Sequence, residues 1–256
     1  MYGDSMSELK LICDEEEMKV SIGESLMEYQ KVIINNLRER LFLYKKVFHV
    51  DKLDKINYIM FDDLEEFRNY NLVNYGYKNP EYSRGLFIPS ASLSLVVIDS
   101  EIRNDRFKLH KMLCSNSHEA FHYYYKKYIY KDSKNRVIWF DEGMAQNLSG
   151  EYEFLTPEEQ VRFFKHWEHH YIPIDNLNDR IQGTRDVPDN LIFKRQGVFD
   201  GYLTSYFIVK YIYETRGIKG LDELMFDRDK VLELGNSNII EEMREYYLKK
   251  YDTKVL

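Results

Sequence analysis

The chain has 256 residues, 44% of them apolar, and a formal net charge of −7. That length fits one domain with a substantial core, with room for two lobes around a cleft. The acidic balance, with no basic stripe, speaks against a nucleic-acid partner, and no run of eighteen apolar residues is present to span a membrane.

Residues 1–20, with the run Asp14-Glu15-Glu16-Glu17, read as a flexible acidic lead-in, and residues 21–256 as a single domain with lobes of about 21–150 and 151–256. Met1 to Lys10 lacks a basic segment followed by an apolar one, so no secretory signal is expected and the expected compartment is the cytoplasm. Two cysteines, Cys13 and Cys114, do not make a disulfide framework. Leu26, Ile33, Ile34, Leu37, Leu41 and Tyr44 recur at three- and four-residue steps and predict a long amphipathic helix over 24–47. Residues 55–61 read as a strand, and Asp62-x-x-Glu65 has capping-box spacing for a short helix after it. Arg84 to Ile88 and Leu93 to Ile98 read as two further strands, separated by Pro89-Ser90-Ala91-Ser92.

Residues 104–130 predict a helix with Leu109, Met112, Leu113, Ala120 and Tyr124 on its apolar side. Trp139 to Leu148 predicts a second helix, and Thr156-Pro157-Glu158-Glu159 is a helix start with cap, proline and a glutamate at the third position. Residues 171–199, with Pro173, Gly183, Pro188 and Gly197, read as loop. From Tyr202 onward the pattern is helical, with breaks at Gly217–Gly220 and Gly235–Asn238. Strands cluster early and helices dominate late, which is an α+β arrangement: a small mixed sheet with the 104–130 helix in the first lobe and a mainly helical second lobe. The 22 tyrosines read as compositional bias rather than as a binding surface.

The chemistry-bearing segment is His118-Glu119-Ala120-Phe121-His122. On a helix the two histidines are four apart, so both imidazoles point to one face and can close on one ion. Nineteen residues lie between His122 and Glu142, which sits in Trp139-Phe140-Asp141-Glu142-Gly143-Met144-Ala145. Two histidines and a carboxylate leave one corner of a zinc tetrahedron for water. Glu119 lies about 100° round the helix from His118, placed to reach that water without ligating the metal. Gly143 and Ala145 are small, which lets the second helix approach the first.

This pattern resembles the gluzincin metallopeptidases, the thermolysin and aminopeptidase type, and the Trp-x-x-Glu-Gly-x-Ala form is closest to their peptidase MA-like branch. Gly201-Tyr202-Leu203-Thr204-Ser205-Tyr206 is similar to the Tyr-x-x-Ser helix of that branch, and Lys55 to Phe61 followed by Asp62 to Tyr70 looks like its first strand and helix. The resemblance covers about residues 20–250, with only the metal motifs specific. It implies a zincin-like catalytic domain holding Zn2+ on His118, His122 and Glu142, with Glu119 as general base, acting on a peptide or protein substrate. It selects Tyr202 as oxyanion donor, with Tyr206 as the alternative. It also implies an edge strand that pairs with extended substrate, for which Leu93 to Ile98 is the candidate. Two departures bear on function. Thermolysin-type enzymes carry an Asp four residues after the glutamate ligand; here Gln146 stands there, so the group that orients a histidine must come from elsewhere. The Gly-x-Met-Glu-Asn motif that binds a free amino terminus is absent, and Arg84 to Ser100 is the corresponding stretch, which favours internal cleavage over aminopeptidase action.

His166 and His170, with His169 between, form a rival pair, but no third ligand follows and a solvated cluster is the expectation. Asp141 reads as capping or solvating its helix, and Cys114 as a packing residue. Other readings of the site are hydrolysis of a different amide or of an epoxide, and a zinc-stabilised peptide-binding module without turnover. Outside these classes stands a helical interaction protein without metal.

Overall fold

Apolar residues alternate after the acidic run, and with Leu11 to Cys13 before it they form a hairpin where a lead-in was expected. In the computed structural model, which describes residues 9–80, 83–169, 171, 173, 177–178 and 201–252, strands β1 (Lys10–Asp14) and β2 (Met18–Ile22) pair antiparallel. Met18, Val20 and Ile22 are buried, and the acids form the turn between the strands. Each acid meets a base: Asp14 pairs with Lys55, Glu15 with Arg38, Glu16 with Lys52 and Glu17 with Lys45. The first three pairs are exposed and specify where the turn docks more than they stabilise it, whereas Glu17–Lys45 is partly buried.

The sheet continues with β3 (Ile56–Phe61), β4 (Gly85–Ile88) and β5 (Leu93–Val97) in the order β1-β2-β3-β5-β4. β2, β3 and β5 run parallel, and β1 and β4 are antiparallel edges. Two expectations change. The strand at 56–61 is the third, not the first. The edge strand is β4, not the stretch from Leu93: all five β5 residues are buried, as a strand flanked on both sides and covered on both faces requires, whereas β4 is half-buried throughout.

The helices that follow the strands cover both sheet faces. Phe61, Leu93, Leu95 and Val97 form one cluster with Phe67 of helix α2 (Leu64–Tyr75). Asp63, not Asp62, caps α2, accepting from the Glu66 amide at 2.9 Å. Asp62 instead accepts from the backbone amide and hydroxyl of Ser25. On the other face lie α1 (Gln30–Val47), entered through a 3-10 turn at Glu24–Tyr29, and α4 (Arg106–Tyr125), which follows the short α3 (Ser100–Arg103). Tyr44 and Phe48 pack on Phe121 with ring centres 5.6 and 5.5 Å apart, and the Tyr44 hydroxyl donates to the Ser117 carbonyl at 3.0 Å. Ser94 of β5 donates to Asn116 of α4 at 2.6 Å, and Tyr124 donates to the Asp54 carbonyl at 2.7 Å. α4 therefore has a fixed register on the sheet. It passes into a π-helical turn at Lys126–Tyr130, inside the stretch expected to be one helix.

The chain divides into two compact units, residues up to Tyr124 with Leu148–Glu151, and Tyr125–Asn147 with residues from Tyr152 onward. The second unit holds most of α5 (Ile138–Ser149) and all of α6 (Pro157–His169), α7 (Gly201–Met225), α8 (Arg228–Gly235) and α9 (Ile239–Asp252). The expected capping box starts α6: Thr156 Oγ1 accepts from the Glu159 amide at 3.2 Å, and Glu159 accepts from the Thr156 amide at 2.8 Å. α7 kinks at Gly217, whose φ of +66° suits glycine. The core is aromatic: Phe164, Trp167, Phe207 and Tyr247 pack edge to face or tilted, and Trp167 donates to Thr204 at 2.9 Å. Tyr44, Tyr58, Tyr124, Tyr206 and Tyr247 are all core residues, so part of the tyrosine excess is structural. Most of residues 171–199, expected to be loop, lies outside the described residues.

The structure is thus α+β with a small mixed sheet. Among the described residues no helix is long and apolar enough to cross a membrane.

Candidate metal centre

The two histidines stand one turn apart on α4, as their spacing requires, with Nε2 atoms 2.9 Å apart. Both side chains are half-buried. His118 Nδ1 lies 2.9 Å from Glu151 Oε1, in a carboxylate only 3% exposed. A proton on Nδ1, the side nearest this carboxylate, would leave the lone pair of Nε2 facing His122. A neutral imidazole with its lone pair turned to a second imidazole is a ready metal ligand.

Glu119, between the histidines, turns toward the sheet edge. A methyl group on Gly85 of β4 would sit 3.8 Å from Glu119 Oε1. One turn further along α4, Tyr123 packs on Phe87 of the same strand, with ring centres 5.1 Å apart. Gly85 and Phe87 share the α4 face because they pair with Val96 and Ser94 of β5, on the side of the sheet that bonds to α4.

Glu142 lies in the first half of α5. Arg136 Nη2 donates to Glu142 Oε1 at 2.7 Å, and Arg136 Nε donates to Asp141 Oδ2. Asp141 is fully buried, which replaces the expectation of a solvated cap. Burial opposes the charge on Arg136, but the carboxylates of Asp141 and Glu142 outweigh it and hold the guanidinium above the ordinary arginine range. The small residue after Glu142 makes room for α7. A methyl on Gly143 would fall 2.4 Å from the Ser205 carbonyl and 2.7 Å from Val209, so the clearance serves α7. Asn147 fastens the same contact by donating to the Tyr206 carbonyl at 3.0 Å.

The donor atoms of His118, His122 and Glu142 all lie within 4.8 Å of one another. Zinc with bonds of about 2.1 Å holds tetrahedral donors roughly 3.4 Å apart. Two imidazoles and a carboxylate suit zinc in chemistry as well as in number. Among the described residues no other three His, Cys, Asp or Glu side chains come so close together.

The remaining expected residues fall as follows. Tyr202 is 43% exposed in the first turn of α7, whereas Tyr206 is 5% exposed against Tyr152, Phe163 and Phe207. Burial pushes the Tyr206 phenol well above its ordinary range. His166 and His169 are exposed on α6, and His170 lies outside the described residues. Cys114 is buried beside Asn36 and His110.

Two groups at the centre, Arg136 and Glu151, escaped the motif reading. Glu151 is nine residues past Glu142 and beyond the helix end; the signal for it was the need for a carboxylate that Gln146 does not meet. Arg136 precedes its helix and follows no spacing rule. No protein-family model matches this chain, and a search of curated proteins finds no match either.

Proposed function

We propose that the chain is a zinc-dependent metallopeptidase of the gluzincin type, zincin-like in fold, that hydrolyses internal peptide bonds in a peptide or protein substrate. The observation that carries this reading is the convergence of His118, His122 and Glu142, with Glu119 on the same helix outside the donor set. These three side chains hold the ion, and zinc when bound polarises a carbonyl and acidifies water. Glu119 takes the proton of the attacking water and delivers it to the leaving amine. β4 ends the sheet among the described residues and offers its free edge to an extended substrate, with Gly85 leaving room before Glu119. Its residues, Gly-Leu-Phe-Ile, include no carboxylate to bind a substrate amino terminus, which supports cleavage within a chain. Tyr202, exposed at the start of α7, is the proposed oxyanion donor.

The test is digestion of a peptide library by the zinc-loaded protein, with and without chelator. Chelator-sensitive cuts at internal bonds are expected. Bound zinc without cleavage would favour the peptide-binding module, and cleavage that survives complete removal of metal would contradict the proposal. Tyr202→Phe removes one hydroxyl from an exposed ring. It is expected to lower kcat by about 10²–10³-fold while KM and zinc content stay near the parent values. Full activity in that variant would remove Tyr202 from the mechanism. Tyr206→Phe, a change within the aromatic core, is expected to remain active.

A further inference from the structure

We infer that Glu151 is the positioning residue for His118, filling the place that Gln146 leaves without a carboxylate. The inference rests on the metal-centre reading above, and it concerns groups that all belong to the first unit.

Three observations carry it. The first is the contact itself: Glu151 Oε1 lies 2.9 Å from His118 Nδ1, and the residue is 2% exposed. Burying a carboxylate costs several kcal/mol unless a polar partner stands close, and the His118 ring lies within ion-pair distance of it. The second is the turn that delivers it. Gly150 has φ +84°, a conformation glycine adopts freely, and any Cβ there would strike the Arg40 guanidinium at 2.6 Å. The chain thereby reverses after α5 and brings Glu151 back onto α4. The third is a second fastening on the same helix. His110, eight residues before His118, places Nε2 3.0 Å from the Gly150 carbonyl oxygen. Residues eight apart on a helix share a face about 12 Å along its axis. The turn is therefore held at His110 and at His118 together.

The consequence for the centre is specific. A carboxylate on Nδ1 fixes the tautomer, stops ring rotation and raises the basicity of Nε2. Glu151 acts through His118 and touches neither substrate nor the reacting atoms.

The experiment is zinc affinity by competition with a chromophoric chelator, on the full chain, for the parent, Glu151→Gln and Glu151→Asp, with metal-free melting measured in parallel. Glu151→Gln is expected to bind zinc about 10–100-fold more weakly than the parent, the usual cost of losing such a partner. Glu151→Asp keeps the charge one methylene short and is expected to fall between them. Should Glu151→Gln not fold, Glu151→Asp decides. Either variant, folded and binding zinc as tightly as the parent, overturns the role of Glu151 while the metal centre stands, even if its metal-free melting temperature falls. A parent chain that binds no zinc overturns the metal centre itself, and this inference with it.

Discussion

Glu119→Gln is expected to keep one zinc per chain and to slow peptide cleavage by about 10²–10⁴-fold, the range for losing a general base. The expectation follows from where the carboxylate stands. Glu119 shares α4 with both histidines but lies outside the donor set, half-buried, with the glycine of the edge strand in front of it. The amide has the same shape and cannot take a proton, so binding survives and turnover does not. Zinc content and kcat measured on the same preparation check it. Loss of zinc would make Glu119 a ligand or a structural residue; undiminished kcat would remove it from the chemistry.

Arg136→Ala is expected to destabilise the chain by about 3–5 kcal/mol, because it leaves a buried charge unmatched. Asp141 has no exposure at all, and Arg136 is 14% exposed between it and Glu142. At roughly 2–4 °C per kcal/mol for a chain of this size, the melting temperature should fall by roughly 6–20 °C. Arg136→Lys keeps the charge but loses the fork that reaches two carboxylates at once, so its loss should be smaller. Zinc affinity should also fall in both, since Glu142 is no longer held by Arg136 Nη2. Thermal denaturation of the metal-free chain is the direct measurement. A shift within about 2 °C would mean that Asp141 is satisfied by other partners.

Local rules are enough to bring the three candidate donors together, but not to place the groups around them. The i, i+4 histidine pair, the interval to Glu142 and the capping box at Thr156 depend on helix geometry alone, and that geometry is short-range. The strand at 93–97 is legible in the sequence, but it lies inside the sheet and not at the expected edge. Its run, apolar but for Ser94, is the mark of an interior strand, and that burial pattern outweighs the family expectation of an edge. The first hairpin was hidden by Asp14 to Glu17, whose charges read as solvated tail. Their partners Arg38, Lys45, Lys52 and Lys55 are 23 to 41 residues away, so no window on the sequence pairs them. Glu151 and Arg136 belong to the same class: each reaches a candidate ligand, His118 or Glu142, through a fold that no spacing encodes. Asp141 shows the effect most sharply, since an acid beside a ligand looks like surface until an arginine is found buried against it.

The measurement closest to the central claim is zinc content by elemental analysis, after equilibration with zinc and removal of the excess, on the parent chain and on His122→Ala. One zinc per parent chain and none above background in the variant is the predicted result. A parent chain without zinc, or a variant that holds as much as the parent, would contradict the metal centre.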